Sequence, residues 1–99
     1  MDVGQAIKTL RQKQGMTQAQ LAERCGMSTT AVCSLETGKS YPPRATVERI
    51  CEVFGIPQSF FLMASIEEGD FPDEKRVLYG AMLEPLRNEL LSDTGNNND

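Results

Sequence analysis

The chain has 99 residues, a formal net charge of −4 and 39% hydrophobic residues, which suits one domain with a modest core. It contains neither a run of 18 apolar residues nor a basic start leading into an apolar stretch, so we expect no membrane span and no secretory signal, and a soluble, cytoplasmic protein. Three cysteines without a CxxC spacing and no histidine favour neither a disulfide framework nor a metal site, and no cofactor is expected.

The charge is unevenly distributed along the chain. Residues 1–56 contain seven basic and five acidic side chains, a net charge of +2, whereas residues 57–99 contain three basic and nine acidic ones, a net charge of −6. Phosphate binding depends on Lys and Arg. The mildly basic first part therefore leaves a nucleic-acid partner open in spite of the negative total.

Two short helices are predicted at the start of the chain. The apolar residues of the first recur at helical spacing, at Val3, Ala6, Ile7 and Leu10. They predict an amphipathic helix over residues 2–13 that stops before the turn at Gly15. A second helix follows Thr17, a good N-cap residue with a capping-box partner at Gln20, and it ends at Gly26.

Three more helices are predicted up to about residue 66. Ser28 caps a third helix over residues 28–37, and Gly38 stops it. A fourth helix is indicated by apolar residues at Val47, Ile50, Cys51 and Phe54. The fifth follows Pro57 and is dense in apolar residues, so we expect it to close the core rather than face water. Those residues are Phe60, Phe61, Leu62, Ala64 and Ile66.

Composition divides the chain into four parts. Residues 1–66 predict an all-α, compact five-helix domain, and residues 67–74 a polar joint. Residues 75–92 predict a C-terminal helical extension, which Pro85 either kinks or restarts. Residues 93–99 have nothing to bury and are expected to be disordered.

The extension carries more apolar side chains than a single surface helix needs. The candidates for an interface are Leu78, Met82, Leu83, Leu86 and Leu90. They predict either a homodimer interface or a face packed on the five-helix core, and both interpretations stay open.

The second and third predicted helices have the spacing of a helix-turn-helix. Ala22 stands where the third helix must pass close over the second, and Gly26, four residues later, allows a turn with positive φ. Val32 and Leu35 reach back toward the second helix and set the crossing angle. The third helix is then the one that a DNA major groove would admit.

At residues 15–42 the sequence GMTQAQLAERCGMSTTAVCSLETGKSYP resembles the lambda-repressor and Cro-type helix-turn-helix family. The shared motifs are a TQxxLA opening, a GxS turn and an LExGK closing, and the five-helix interpretation of residues 1–66 matches the family's whole domain. The resemblance implies a lambda-repressor-like fold and a sequence-specific transcriptional regulator of the repressor type that binds double-stranded DNA as a homodimer. Residues 67–99 lie outside it.

The resemblance also implies roles for individual residues. Gln18 matches the phosphate-binding residue at the start of the family's second helix. The candidates for base contacts lie at the exposed start of the third helix and one turn on, at Ser28, Thr29, Thr30, Cys33 and Ser34. The candidates that line the next phosphates are Thr37, Lys39, Tyr41 and Arg44. Many relatives carry Gln, Arg or Asn where this chain has its two threonines, so the bases themselves are not predicted.

In the same family, an arginine of the first helix pairs with an acidic residue at the end of the third. The resemblance therefore implies a structural pair between Arg11 and Glu36. The alternative function is an antitoxin-like module that binds a basic protein partner through residues 57–99 and also represses its own operon. An enzyme is not expected, because the chain has no histidine and no phosphate-cradling glycine loop.

Overall fold

The computed structural model describes residues 1–91, with side chains up to Glu89, and every regular element in that range is helical. The all-α prediction is therefore confirmed. The five helices of the first part are α1 (Val3–Lys13), α2 (Gln18–Cys25), α3 (Thr29–Glu36), α4 (Arg44–Phe54) and α5 (Gln58–Ser65). The side chain of Leu90 and the predicted tail 93–99 lie outside the described residues. Within the described range, no helix is long and apolar enough to cross a bilayer.

The chain continues beyond α5 as a series of short helical elements. They are two 3₁₀ turns (Glu68–Asp70 and Asp73–Lys75), α6 (Arg76–Leu78), a π-helix (Tyr79–Leu83) and α7 (Glu84–Leu91). The Glu84 N–H donates to the Tyr79 carbonyl, which is the i→i+5 bond of a π-helix. The backbone stays helical through Glu84, so Pro85, which has no N–H to donate, lies where the π-helix passes into α7 without a break.

Local capping signals decide where the first three helices begin. The Asp2 carboxylate accepts from the N–H of Gln5 at 2.9 Å, so Asp2 caps α1 rather than belonging to it. Thr17 and Gln20 form the predicted capping box at the start of α2. The Ser28 hydroxyl accepts from the Ala31 N–H at 3.0 Å and caps α3.

One apolar core lies between the five helices. Its buried residues are Val3, Ala6, Ile7, Leu10, Met16, Leu21, Ala22, Val32, Leu35, Ile50, Cys51, Phe54, Phe61 and Ala64. The expectation that all of the apolar residues of α5 close this core is wrong for Leu62, which is 47% exposed. Leu62 directly follows Phe61, which is fully buried, and neighbouring residues of a helix lie on different faces.

At Gly4 the backbones of two helices come close together. An ideal Cβ on Gly4 would lie 2.4 Å from the carbonyl oxygen of Leu35 and 2.9 Å from that of Glu36. The first turn of α1 therefore rests directly on the end of α3, and a side chain would push them apart. Sequence reasoning missed this role, because the residues around Gly4 in the sequence do not indicate which other helix packs against it.

We expect Gly4→Ala to lower the free energy of unfolding by about 1–3 kcal/mol, because backbone atoms of α3 must move to admit the methyl group. Helix propensity alone predicts the opposite, a gain of about 1 kcal/mol. Urea denaturation measures the difference. Gly80→Ala is the matched control, since a Cβ there meets no atom within 4 Å. A Gly4→Ala variant as stable as the wild type would contradict the close approach.

Several contacts hold the extension against the five-helix domain. The Tyr79 side chain is buried, with its ring centroid 5.5 Å from that of Phe71. Arg87 Nε donates to the Ala64 carbonyl at 3.1 Å, and α7 contacts both α1 and α5. The Met1 ammonium donates to the Asp70 carboxylate, a bond that is the main cause of a raised pKa for the ammonium and a lowered pKa for Asp70.

Several apolar side chains of the extension are exposed in the described part of the chain. Its exposed apolar face consists of Val77, Leu78, Met82 and Leu86, and Val77 and Met82 are 72% and 66% exposed. Leu83, another interface candidate, is only half-buried. The extension thus both packs on the domain and presents an apolar face to water.

Candidate nucleic-acid interface

The helices α2 and α3 are joined by a tight turn with the predicted geometry. Gly26 has φ 70°, in the left-handed region that favours glycine, and the Met27 N–H donates to the Ala22 carbonyl at 2.9 Å. Ala22 is buried where the helices meet, and so is Val32 on the facing side of α3. The inner face of α3 therefore packs in the core, and its outer face is exposed to solvent.

The outer face of α3 carries small polar groups without protein partners. Thr29, Thr30 and Cys33 are exposed and Ser34 is half-exposed. Within the described part of the chain, none of these three hydroxyls takes part in a hydrogen bond to protein. Each can both donate and accept, so the face offers short hydrogen-bonding groups to whatever approaches it.

Two other hydroxyls of this segment are already used by the backbone. The Ser28 oxygen caps the helix at Ala31, and the Thr37 hydroxyl donates to the Cys33 carbonyl at 2.9 Å. Both side chains are exposed. The structure therefore separates the candidates into free hydroxyls at Thr29, Thr30 and Ser34 and bonded ones at Ser28 and Thr37, a distinction that the sequence did not predict.

Basic and aromatic side chains lie beyond the end of α3. The Lys39 N–H donates to the Ser34 carbonyl at 2.9 Å, which holds the chain close to the helix end. The Lys39 side chain is exposed and makes no ion pair among residues 1–91. Tyr41 is exposed, and Arg44 reaches Glu48 at 3.3 Å while almost fully open to water. Lys39 and Arg44 therefore supply positive charge beyond the end of α3.

The sole charged residue of α3 is neutralised within the fold. Arg11 Nε donates to Glu36 Oε2 at 2.6 Å and Arg11 Nη2 to Glu36 Oε1 at 3.1 Å, a bidentate pair. The two side chains are 9% and 2% exposed. Arg11 Nη1 also donates to the Met16 carbonyl at 2.7 Å, so one guanidinium ties α1 to the α1–α2 turn and to the end of α3. No unpaired negative charge remains on α3.

Gln18 lies beside this pair. Its Nε2 donates to Glu36 Oε1 at 2.9 Å, and the side chain is half-buried. Sequence reasoning assigned Gln18 to phosphate contact and missed the bond to Glu36, because the two residues belong to different helices. The structure thus joins Arg11, Glu36 and Gln18 in one network at the start of α2.

Burial makes two of the three cysteines less reactive. Burial raises the pKa of the Cys25 and Cys51 thiols, and a nearby Arg49 lowers that of Cys25 to a smaller extent. Thiols whose pKa is raised are poor nucleophiles. In the part of the chain that the structure describes, no three His, Cys, Asp or Glu side chains come together as a metal site.

These are the features of a helix-turn-helix domain: a tight αL turn, a second helix packed under an exposed polar third helix, and basic residues beyond the end of the third helix. Comparison with known proteins agrees, because the family model of the helix-turn-helix domain matches residues 2–59. The chain therefore belongs to the helix-turn-helix family of Cro type, as its sequence predicted.

The chain is also similar to proteins named as transcriptional regulators or repressors. The chain is 31% identical over 75 residues, 76% of its length, to the HTH-type transcriptional regulator PuuR of Escherichia coli, and it spans 38% of that regulator. It is 26% identical over 99 residues to the immunity repressor protein of Bacillus phage phi105, covering 69% of it. It is 37% identical over 65 residues to the competence pilus inhibition repressor of Acinetobacter baylyi, covering 59% of it.

Proposed function

We propose that the protein is a sequence-specific repressor of transcription that binds double-stranded DNA with the outer face of α3 in the major groove. The observation that carries this proposal is the set of hydroxyls without a protein partner at the exposed Thr29 and Thr30 and the half-exposed Ser34. Short hydroxyl side chains allow a helix backbone to approach base edges closely, and a threonine methyl can contact the methyl group of thymine.

The dimensions and charge of α3 suit this role. Its eight residues form a helix of about 12 Å, which is comparable with the width of the major groove. Glu36 is covered and paired with Arg11, so the approach to phosphate meets no free carboxylate from α3. Lys39, Tyr41 and Arg44 lie where they can contact the backbone beyond the helix, which sets affinity and register rather than sequence preference.

We further propose that the protein acts as a homodimer on a two-fold related operator. The exposed apolar face of the extension supports this, since a small monomer rarely leaves so many large apolar side chains together in water. A repressor role follows the names of the two repressors among the relatives. Two copies would place their α3 helices in successive major grooves, with half-sites about one helical turn apart.

Two classes of variant are expected to affect DNA binding differently. Thr30→Ala and Ser34→Ala should relax the preference at particular base pairs by roughly 1–2 kcal/mol or less each. Lys39→Ala should weaken binding to every sequence and reduce the slope of log affinity against log salt by about one. The measurement is a salt series on a duplex enriched by the wild-type protein from random DNA and on a scrambled duplex.

Matched controls isolate these effects. Ser59→Ala removes an exposed hydroxyl from α5, and Lys75→Ala removes an exposed positive charge from the second 3₁₀ turn. Neither should change base preference or the salt slope. If Thr30→Ala and Ser34→Ala retain the wild-type base preference, α3 does not contact the bases and the proposal is wrong.

A further inference from the structure

We infer that Glu36 is a positioning residue for DNA binding, which holds the Gln18 amide ready to donate to a phosphate. This inference rests on the proposed function and concerns how the contact is prepared. The observation behind it is that the Glu36 carboxylate accepts from Arg11 and Gln18 together, so it joins the pair inside the fold to a side chain at the start of α2.

The carboxylate fixes the orientation of the Gln18 amide. An ionised carboxylate only accepts hydrogen bonds, so the NH₂ group of Gln18 must face Glu36 and the amide oxygen must face away. One Nε2 proton bonds to Glu36 Oε1 and the second remains available. The second proton can be donated to a phosphate oxygen. The amide cannot turn its own oxygen toward the phosphate without breaking the bond to Glu36.

Arg11 makes this arrangement compatible with DNA. A lone carboxylate near the start of α2 would repel a phosphate, but the bidentate bond with Arg11 neutralises it. Arg11 also holds the Met16 carbonyl at 2.7 Å, two residues before Gln18. The backbone at the start of α2 and the side chain of Gln18 are therefore both held by the Arg11–Glu36 pair.

Holding the amide in advance favours binding. A free glutamine side chain loses rotamer freedom when it contacts a ligand, and that cost weakens the contact. In this protein the cost is met during folding, because Glu36 orders Gln18 before DNA arrives. The energetic contribution of Gln18 to DNA binding should consequently depend on Glu36.

A double-mutant cycle tests this dependence. The background is Arg11→Met with Glu36→Met, which replaces the buried pair by apolar groups of similar volume and is expected to fold. The probe is the duplex that the wild-type protein enriches from random DNA, at a temperature where circular dichroism shows all variants folded. In the wild type, Gln18→Ala should weaken binding roughly five-fold, as for the loss of one hydrogen bond. In the Met–Met background the same change should cost about two-fold or less.

Lys39→Ala is the control in both backgrounds, because Lys39 makes no contact with the pair. Lys39→Ala should weaken DNA binding by the same factor in both backgrounds. A general loosening of the domain would change that factor, whereas a coupling confined to Gln18 and Glu36 would not. Equal losses for Gln18→Ala in the two backgrounds would overturn the inference and leave the proposed function intact. Failure of the wild-type protein to enrich any duplex would overturn the proposed function itself.

A second measurement uses the intact wild-type protein. In the free protein, the Gln18 Nε2 proton that faces Glu36 should lie downfield of its position in a freely solvated glutamine, and this displacement should persist when DNA binds. Two Gln18 amide protons at the shifts of a freely solvated glutamine would overturn the inference without any variant.

Discussion

Replacing Arg11 with alanine is expected to lower the free energy of unfolding by about 3–5 kcal/mol, because the substitution leaves the covered carboxylate of Glu36 without its counter-charge. It also removes the bond from Arg11 to the Met16 carbonyl. A change of that size corresponds to a fall in melting temperature on the order of 15–30 °C for a domain of this length. Thermal denaturation followed by circular dichroism measures it.

The control for this prediction removes both charges together. Arg11→Met with Glu36→Met leaves no ion unpaired, so this double variant should be considerably more stable than Arg11→Ala. Arg44→Ala is a second control, because its contact with Glu48 is exposed and worth little. A melting temperature for Arg11→Ala equal to that of the wild type would show that the pair does not hold α1 to α3.

The second large effect is expected at the exposed apolar face of the extension. Leu78→Gln, Met82→Gln and Leu86→Gln combined should convert a dimer into a monomer, because they replace apolar side chains of the proposed interface by polar ones. The loss of the second half-site contact should weaken binding to a two-fold operator by about 100-fold or more. Sedimentation equilibrium and a titration of the operator measure the two consequences.

Leu62→Gln separates this interface from one on α5. Leu62 is 47% exposed and lies in α5, not in the extension. If the dimer persists in the triple variant and dissociates with Leu62→Gln, the interface lies on α5. If the triple variant lowers operator affinity but leaves binding to a single half-site unchanged, the effect comes from the loss of pairing rather than from damage to the domain.

The helix boundaries were predictable because their causes are local. Thr17, Gln20 and Ser28 act within three residues of themselves, and the αL turn at Gly26 depends on its own lack of a Cβ. The helix-turn-helix was predictable for the same reason, since its spacing lies within one stretch of about 20 residues. The resemblance then brought the candidate contact residues, although it could not say which hydroxyls are free. The structure shows that the hydroxyls of Thr30 and Ser34 have no protein partner, whereas the Thr37 hydroxyl donates to the Cys33 carbonyl.

What the sequence by itself determined is therefore the helical class, the places where the helices begin and end, and the motif that presents α3. Apart from the Arg11–Glu36 pair, which the family resemblance implied, only the tertiary structure decided which residues of different helices meet. Gly4 rests on the carbonyls of Leu35 and Glu36, and Gln18 bonds to Glu36. Tyr79 is buried, whereas Leu62 of the apolar fifth helix is exposed. Such contacts depend on how the helix axes cross, and no periodicity within a single helix carries that information.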